Sequence, residues 1–131
     1  MLLTKQLKEL KDATMDRMPQ SIIETFNDGI NEIKTIGLKE RALQVGDFIP
    51  HIALTNYNSE SVQLTDLHQS EYLVLNFYRG GWCPYCNMEL REYERLKEDF
   101  TEVGANIVGI SAEIPELALQ TTLKTPSLFQ F

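Results

Sequence analysis

The two cysteines of this 131-residue chain stand three residues apart, in the stretch NFYRGGWCPYCNMELREYERL from Asn76 to Leu96. They follow an apolar run and precede residues with helical periodicity. Pro84 lacks a backbone N–H and suits the first helical position, which makes Cys83 the N-cap and Cys86 the third helical residue. Both sulfurs are then expected near unpaired N–H groups at the positive end of the helix dipole, an environment that lowers a thiol pKa. The spacing also allows a disulfide without breaking the helix. The chemistry predicted is therefore a dithiol that is oxidised and reduced, and the Gly-Gly-Trp lead-in predicts that it lies on an exposed loop.

Other uses of the pair are weaker. A zinc site needs about four ligands, and His51 and His68 lie at no ligand-like spacing from the cysteines, so no metal is expected. Two cysteines cannot form a multi-bridge framework. Net charge is −7, all of it contributed by residues 45–131, because acidic and basic residues balance over residues 1–44. That sign disfavours nucleic acid and anionic lipid. No apolar run approaches the roughly 18 residues of a membrane span. The opening MLLTKQLKELKD is too charged for a secretory signal. A cytoplasmic setting with reduced thiols is expected.

The elements that position the pair can be read outward from it. Tyr72–Tyr78 is nearly unbroken apolar sequence, as expected of a central strand buried on both faces. Gly80 and Gly81 then let the chain turn. Leu90, Tyr93, Leu96, Phe100 and Val103 mark one face of a single helix ending at Gly104. Asn106–Ser111 reads as a second buried strand, and Pro115 as the start of a helix through Leu123. Strand–helix–strand–helix implies a parallel βαβ crossover. Upstream, HIALTNYNSESVQLTDL reads as two short strands about a turn. Residues 1–44 read as helix, with Leu3, Leu7, Leu10, Thr14 and Met18 on one stripe and Ile22, Phe26, Ile30 and Ile33 on another, which must pack on the rest of the chain or on a partner, core packing being the first expectation. The domain reading is a helical extension over 1–44 followed by an α/β domain over 45–131.

FYRGGWCPYCNMELR resembles the peroxiredoxin-like branch of the alkyl hydroperoxide reductase/thiol-specific antioxidant family, within the thioredoxin-like superfamily. ERALQVGDFIPHIALTNYNSESVQLTDL resembles the segment by which that family enters its domain, and the helical extension also fits. The resemblance implies a thioredoxin-like sheet with a two-helix N-terminal extension. It places the peroxidatic cysteine on Cys86 and a motif glutamate on Glu89. Cys83 stands where the family carries threonine, and Arg79 where it carries proline. Two mechanisms follow. In one, Cys86 attacks a hydroperoxide and Cys83 condenses with the resulting sulfenic acid. In the other, Cys83 attacks a substrate disulfide and Cys86 resolves it. Arg79 is placed to stabilise either thiolate, Trp82 to shield the pair or dock a partner, and Glu89 to complement the helix dipole from the first turn.

Hydroperoxide reduction is the leading functional expectation. A protein disulfide reductase comes second, and a non-catalytic binding or regulatory module third. The redox-active group is the Cys83–Cys86 pair itself, with no added cofactor, and an external thiol or thioredoxin-type reductant is the expected donor. The resemblance further implies C-terminal strands and a closing helix absent from this sequence, so the domain reads as truncated. The apolar SLFQF is expected to act as an edge strand that supports a homo-oligomer. Thr125-Pro126 resembles in placement the cis-proline that faces the dithiol in thioredoxins.

Overall fold

The computed structural model describes residues 2–124 and 129–130. The chain divides into two compact units, Met1–Pro50 and His51–Phe131. The first holds helices α1 (Leu3–Met15), α2 (Gln20–Thr35) and α3 (Leu38–Arg41). Pro19 occupies the N-cap of α2, and Gly37, at φ +70°, separates α2 from α3. The expected stripes form, but none of the three helices contributes a buried residue. Ile22, Phe26, Ile30 and Ile33 remain exposed, so the core packing expected of them is not made within this unit. Among the described residues, no helix is long and apolar enough to cross a membrane.

The second unit begins with the antiparallel hairpin of β1 (Ala53–Thr55) and β2 (Ser61–Gln63), followed by a 3-10 turn over Leu64–Leu67. Then come β3 (Tyr72–Phe77), α4 (Pro84–Arg95), α5 (Lys97–Glu102), β4 (Ala105–Ile110), α6 (Pro115–Lys124) and β5 (Phe129–Gln130). Strands β3 and β4 are parallel, in register from Tyr72 opposite Ala105 to Phe77 opposite Ile110. The sheet order is β3-β4-β5, with β4 also parallel to β5. The βαβ crossover expected from the sequence is therefore present. Pro126 lies outside the described residues, as do Ser127, Leu128 and Phe131 of the expected edge strand.

Strand alternation divides the core between the two faces of this sheet. Val74 and Ile107 meet Leu90, Tyr93 and Phe100 from α4 and α5 on one side. Leu73, Leu75, Val108 and Ile110 meet Leu54, Val62, Leu64 and Leu67 from the hairpin and the 3-10 turn on the other. Asn106 fastens the turn to the sheet, its Nδ2 donating to Leu67 O at 2.8 Å.

Two readings need correction. Both strands are covered on both faces, but burial is deeper in β4: Ala105, Ile107 and Val108 are buried, whereas Tyr72 and Phe77 at the ends of β3 are exposed. The reason is position, since β4 has a neighbour on each edge and β3 pairs only with β4 among the described residues. The helix after the cysteines is also not continuous. It breaks at Leu96 (φ −94°, ψ 7°), and Glu98 and Asp99 fall in the first turn of α5, where negative charge suits a new N-terminus. Val103 becomes the C-cap of α5 and is exposed rather than packed.

This division makes a direct prediction. Leu90, at 0% exposure, should cost about 2–5 kcal/mol as Leu90→Ala. Val103→Ala should change stability by no more than about 0.5 kcal/mol. Equilibrium urea denaturation measures both, and comparable losses would refute the placement of Val103.

Candidate active site

The site lies where β3 passes into α4. The last ladder bond of β3 runs from Tyr78 N–H to Ile110 O at 2.9 Å. Beyond it, Arg79, Gly80, Gly81 and Trp82 form an elbow, and Cys83 caps α4 with Pro84 at the first helical position, as the spacing predicts. Hydrogen bonds hold the elbow at both glycines. Cys83 N–H donates to Gly80 O at 3.1 Å. Asn87 Nδ2 donates to Gly81 O at 2.7 Å. Gly81 N–H donates to Glu113 Oε1 at 2.8 Å, and the Thr121 hydroxyl donates to Glu113 Oε2 at 3.1 Å. Glu113, just past β4, thus ties the elbow to α6.

Both glycines are required by space. Gly80 sits at φ +150°, and a Cβ there would meet the Trp82 indole nitrogen and Glu113 Oε1. A Cβ on Gly81 would collide with the Thr121 hydroxyl. Beside the elbow is a hollow of about 270 Å³ lined by Gly81, Trp82, Glu113, Leu117, Gln120 and Thr121.

Both cysteines are free thiols and both are buried, which corrects the exposed loop expected from the Gly-Gly-Trp lead-in. Cys83 is 1% exposed and Cys86 9%, within a cluster that also holds Tyr78, Leu90 and Ile107. Within the elbow Gly80 and Gly81 are themselves buried, while Arg79 and Trp82 are exposed.

The two thiols ionise differently, and this too departs from the expectation that the dipole would lower both. For Cys83, burial opposes ionisation, but the Cys86 thiol, the N–H groups of Cys86 and Tyr85 and the Arg79 charge outweigh it, and the pKa falls below the ordinary thiol value. The Cys83 side chain acts on those N–H groups without a capping hydrogen bond of normal geometry. For Cys86, burial and the neighbouring Cys83 sulfur push the pKa up, against the Arg79 and Gly80 N–H groups that favour the thiolate. Arg79 N–H donates to Cys86 Sγ at 3.4 Å. The Cys86 thiol thus favours a thiolate at Cys83, while the Cys83 sulfur disfavours one at Cys86.

The supporting residues separate into those near the pair and those elsewhere. The Arg79 guanidinium lies 4.7 Å from the centre of the Trp82 ring, a cation–π contact on an exposed indole. Glu89 is in the second turn of α4, not the first, and its Oε1 accepts from the Tyr93 hydroxyl at 3.3 Å. Its role as a dipole complement is therefore withdrawn. His51 and His68 are exposed, and His68 Nε2 lies 3.0 Å from Glu71 O. Among the described residues no cluster of His, Cys, Asp and Glu could hold a metal ion.

Tyr78, Glu113 and Thr121 escaped the sequence reading. One available signal was position, because open parallel sheets build their sites at the carboxyl ends of neighbouring strands, and Ser111–Glu113 directly follows β4. The phenol of Tyr78 has its pKa raised chiefly by burial. The Ser111 hydroxyl partly relieves this, and the Glu113 and Cys86 charges add to it.

Comparison with known proteins places this geometry. The model of the AhpC/TSA family matches residues 45–130. The thiol-disulfide oxidoreductase ResA of Halalkalibacterium halodurans is 31% identical over 77 residues, 59% of this chain and 43% of its own length. Peroxiredoxin Bcp of Bacillus subtilis is 31% identical over 74 residues, 56% of this chain and 46% of its own. The chain thus spans under half the length of these curated relatives. Among solved structures, the peroxidoxin BcpB of Mycobacterium tuberculosis superposes with a TM-score of 0.64 at 23% identity, covering 69% of this chain and 59% of the other. The thioredoxin domain of a thiol-disulfide oxidoreductase from Bacteroides vulgatus gives 0.55 at 23% identity, over 68% and 64%. The fold is thioredoxin-like.

Two measurements test the site. Thiolate absorbance against pH should show one thiol of the wild-type protein titrating below an ordinary thiol and the other above it, with the lower step lost in Cys83→Ser. Alkylation should accordingly reach Cys83 first as pH rises, and the reverse order would refute the assignment. Gly81→Ala should cost about 1–3 kcal/mol through overpacking. Thr121→Ala should recover part of that loss in the double variant, a coupling that simple additivity would exclude.

Proposed function

The chain belongs to the AhpC/TSA family, and on that premise we propose that it is a thiol oxidoreductase reducing hydroperoxides through Cys86, with Cys83 as the resolving thiol. The observation that carries the reading is the burial of both sulfurs. A folded protein disulfide needs an exposed sulfur to approach, whereas a small oxidant can enter a nearly closed site. Of the two sulfurs, Cys86 is the more open, and it accepts a main-chain hydrogen bond from Arg79 N–H at 3.4 Å.

Electrons balance as follows. The Cys86 thiolate forms a bond to the distal peroxide oxygen, the O–O bond breaks, and the departing alkoxide or hydroxide takes a proton. The resulting sulfenic acid condenses with Cys83, water leaves, and a Cys83–Cys86 disulfide remains. An external thiol reductant returns both sulfurs to the dithiol, in a cytoplasmic setting that keeps such donors reduced.

A second reading rests on the lowered pKa of Cys83. As a thiolate at the N-cap it would attack a substrate disulfide, and Cys86 would release the product. The likeness to ResA favours this exchange.

Stopped-flow oxidation of the reduced protein separates the two. Rapid thiol loss with hydrogen peroxide is expected to persist in Cys83→Ser and to vanish in Cys86→Ser. Efficient reduction of insulin-type disulfides, abolished in Cys83→Ser and accompanied by slow peroxide chemistry, would replace the first reading with the second. Reaction with neither oxidant faster than a free thiol would reject both and leave a binding module.

A further inference from the structure

A buried hydroxyl without a hydrogen bond costs stability, and a phenylalanine in its place would fill the same space without that cost. Tyr78 carries such a hydroxyl. The residue is 6% exposed and packs in one cluster with Cys83, Cys86, Leu90 and Ile107. Its Oη is fully buried and makes no hydrogen bond of normal geometry among the described residues. Its backbone is fixed to β4, and the N–H of the next residue already points at Cys86 Sγ.

We propose that the Tyr78 hydroxyl is a reserved donor that turns onto Cys86 Sγ and stabilises it as a thiolate. The inference rests on the redox reading of the pair and deepens it. The need for a further donor follows from the site, because a thiolate at Cys86 forms in a closed space beside a second sulfur. The groups that face the phenol leave its proton available. Both oxygens of Glu113 already accept, from the Gly81 N–H and the Thr121 hydroxyl. The Ser111 hydroxyl accepts from Glu113 N–H at 3.2 Å. The Arg79 guanidinium stacks on Trp82. When Cys86 attacks, its negative charge passes into the new S–O bond and onto the leaving oxygen. The Tyr78 proton stays on the phenol throughout, and the leaving oxygen is protonated from solvent.

The test is Tyr78→Phe in the Cys83→Ser background. The Cys86 titration should move to higher pH, and the rate with hydrogen peroxide at neutral pH should fall about tenfold, the scale of one charge-assisted hydrogen bond. The two rates should converge at alkaline pH, where both proteins are ionised. The melting temperature should change little, because the hydroxyl makes no hydrogen bond of normal geometry among the described residues. An unchanged Cys86 titration overturns the proposal, with or without a lower melting temperature. If Tyr78→Phe does not fold, carbon-13 labelling of the tyrosine ζ position in Cys83→Ser/Tyr85→Phe gives the same answer. One tyrosine resonance should follow the Cys86 titration and cease to do so when Cys86→Ser is added, and no such resonance would overturn the proposal. A wild-type protein inert to peroxide, with the Cys86 titration still displaced by Tyr78→Phe, would sink the peroxidase reading and leave this inference standing.

Discussion

One helix N-terminus serves two sulfurs that are both closed off from water, and the rest of the site follows from that constraint. The N-terminal N–H groups of α4 can favour one thiolate far more easily than two neighbouring ones, because the second charge would be repelled by the first at short range. The pair resolves this by unequal ionisation. Ionisation is favoured at Cys83, at the cap, and disfavoured at Cys86 by burial and its neighbour. Burial sharpens the inequality, since each charge is stronger where solvent does not screen it.

Such a site requires a rigid frame, and the elbow supplies it. Three hydrogen bonds hold Gly80 and Gly81, one of them reaching Glu113 far along the chain. The sheet beneath sets how far apart those residues stand. Parallel pairing of β3 with β4 brings Tyr78 and Ser111 to the same end of the sheet, so the segment after β4 can supply Glu113 to the segment after β3. A helix crossover is what makes this parallel arrangement reachable, and α4, which carries the dithiol, forms part of that crossover.

Much of this was readable residue by residue. Pro84 at the first helical position, Cys83 at the cap, the β3 and β4 segments and Pro115 at the start of α6 all depend on short-range rules of backbone geometry and hydrogen-bond supply. So does the hairpin within HIALTNYNSESVQLTDL. Each is decided within a few positions of the residue concerned, which is why a single sequence suffices for them. Glu89 shows the limit: counted from the cysteine it suggests the helix terminus, yet the N-cap at Cys83 puts it a turn further in, where Tyr93 uses its carboxylate.

What the chain alone determined was the type of chemistry and its local setting, namely two thiols at i and i+3 at the tip of a helix behind a strand. Tertiary structure decided how those thiols are tuned. Which strand is the more deeply buried depends on the order of pairing across the sheet. Burial of the elbow depends on Glu113 and Thr121, and the Tyr78 phenol beside Cys86 is faced by Ser111 and Glu113. Those residues meet only after β3 and β4 pair. Composition and periodicity carry no record of such meetings, because desolvation and Coulomb interaction depend on distance in space rather than distance along the chain.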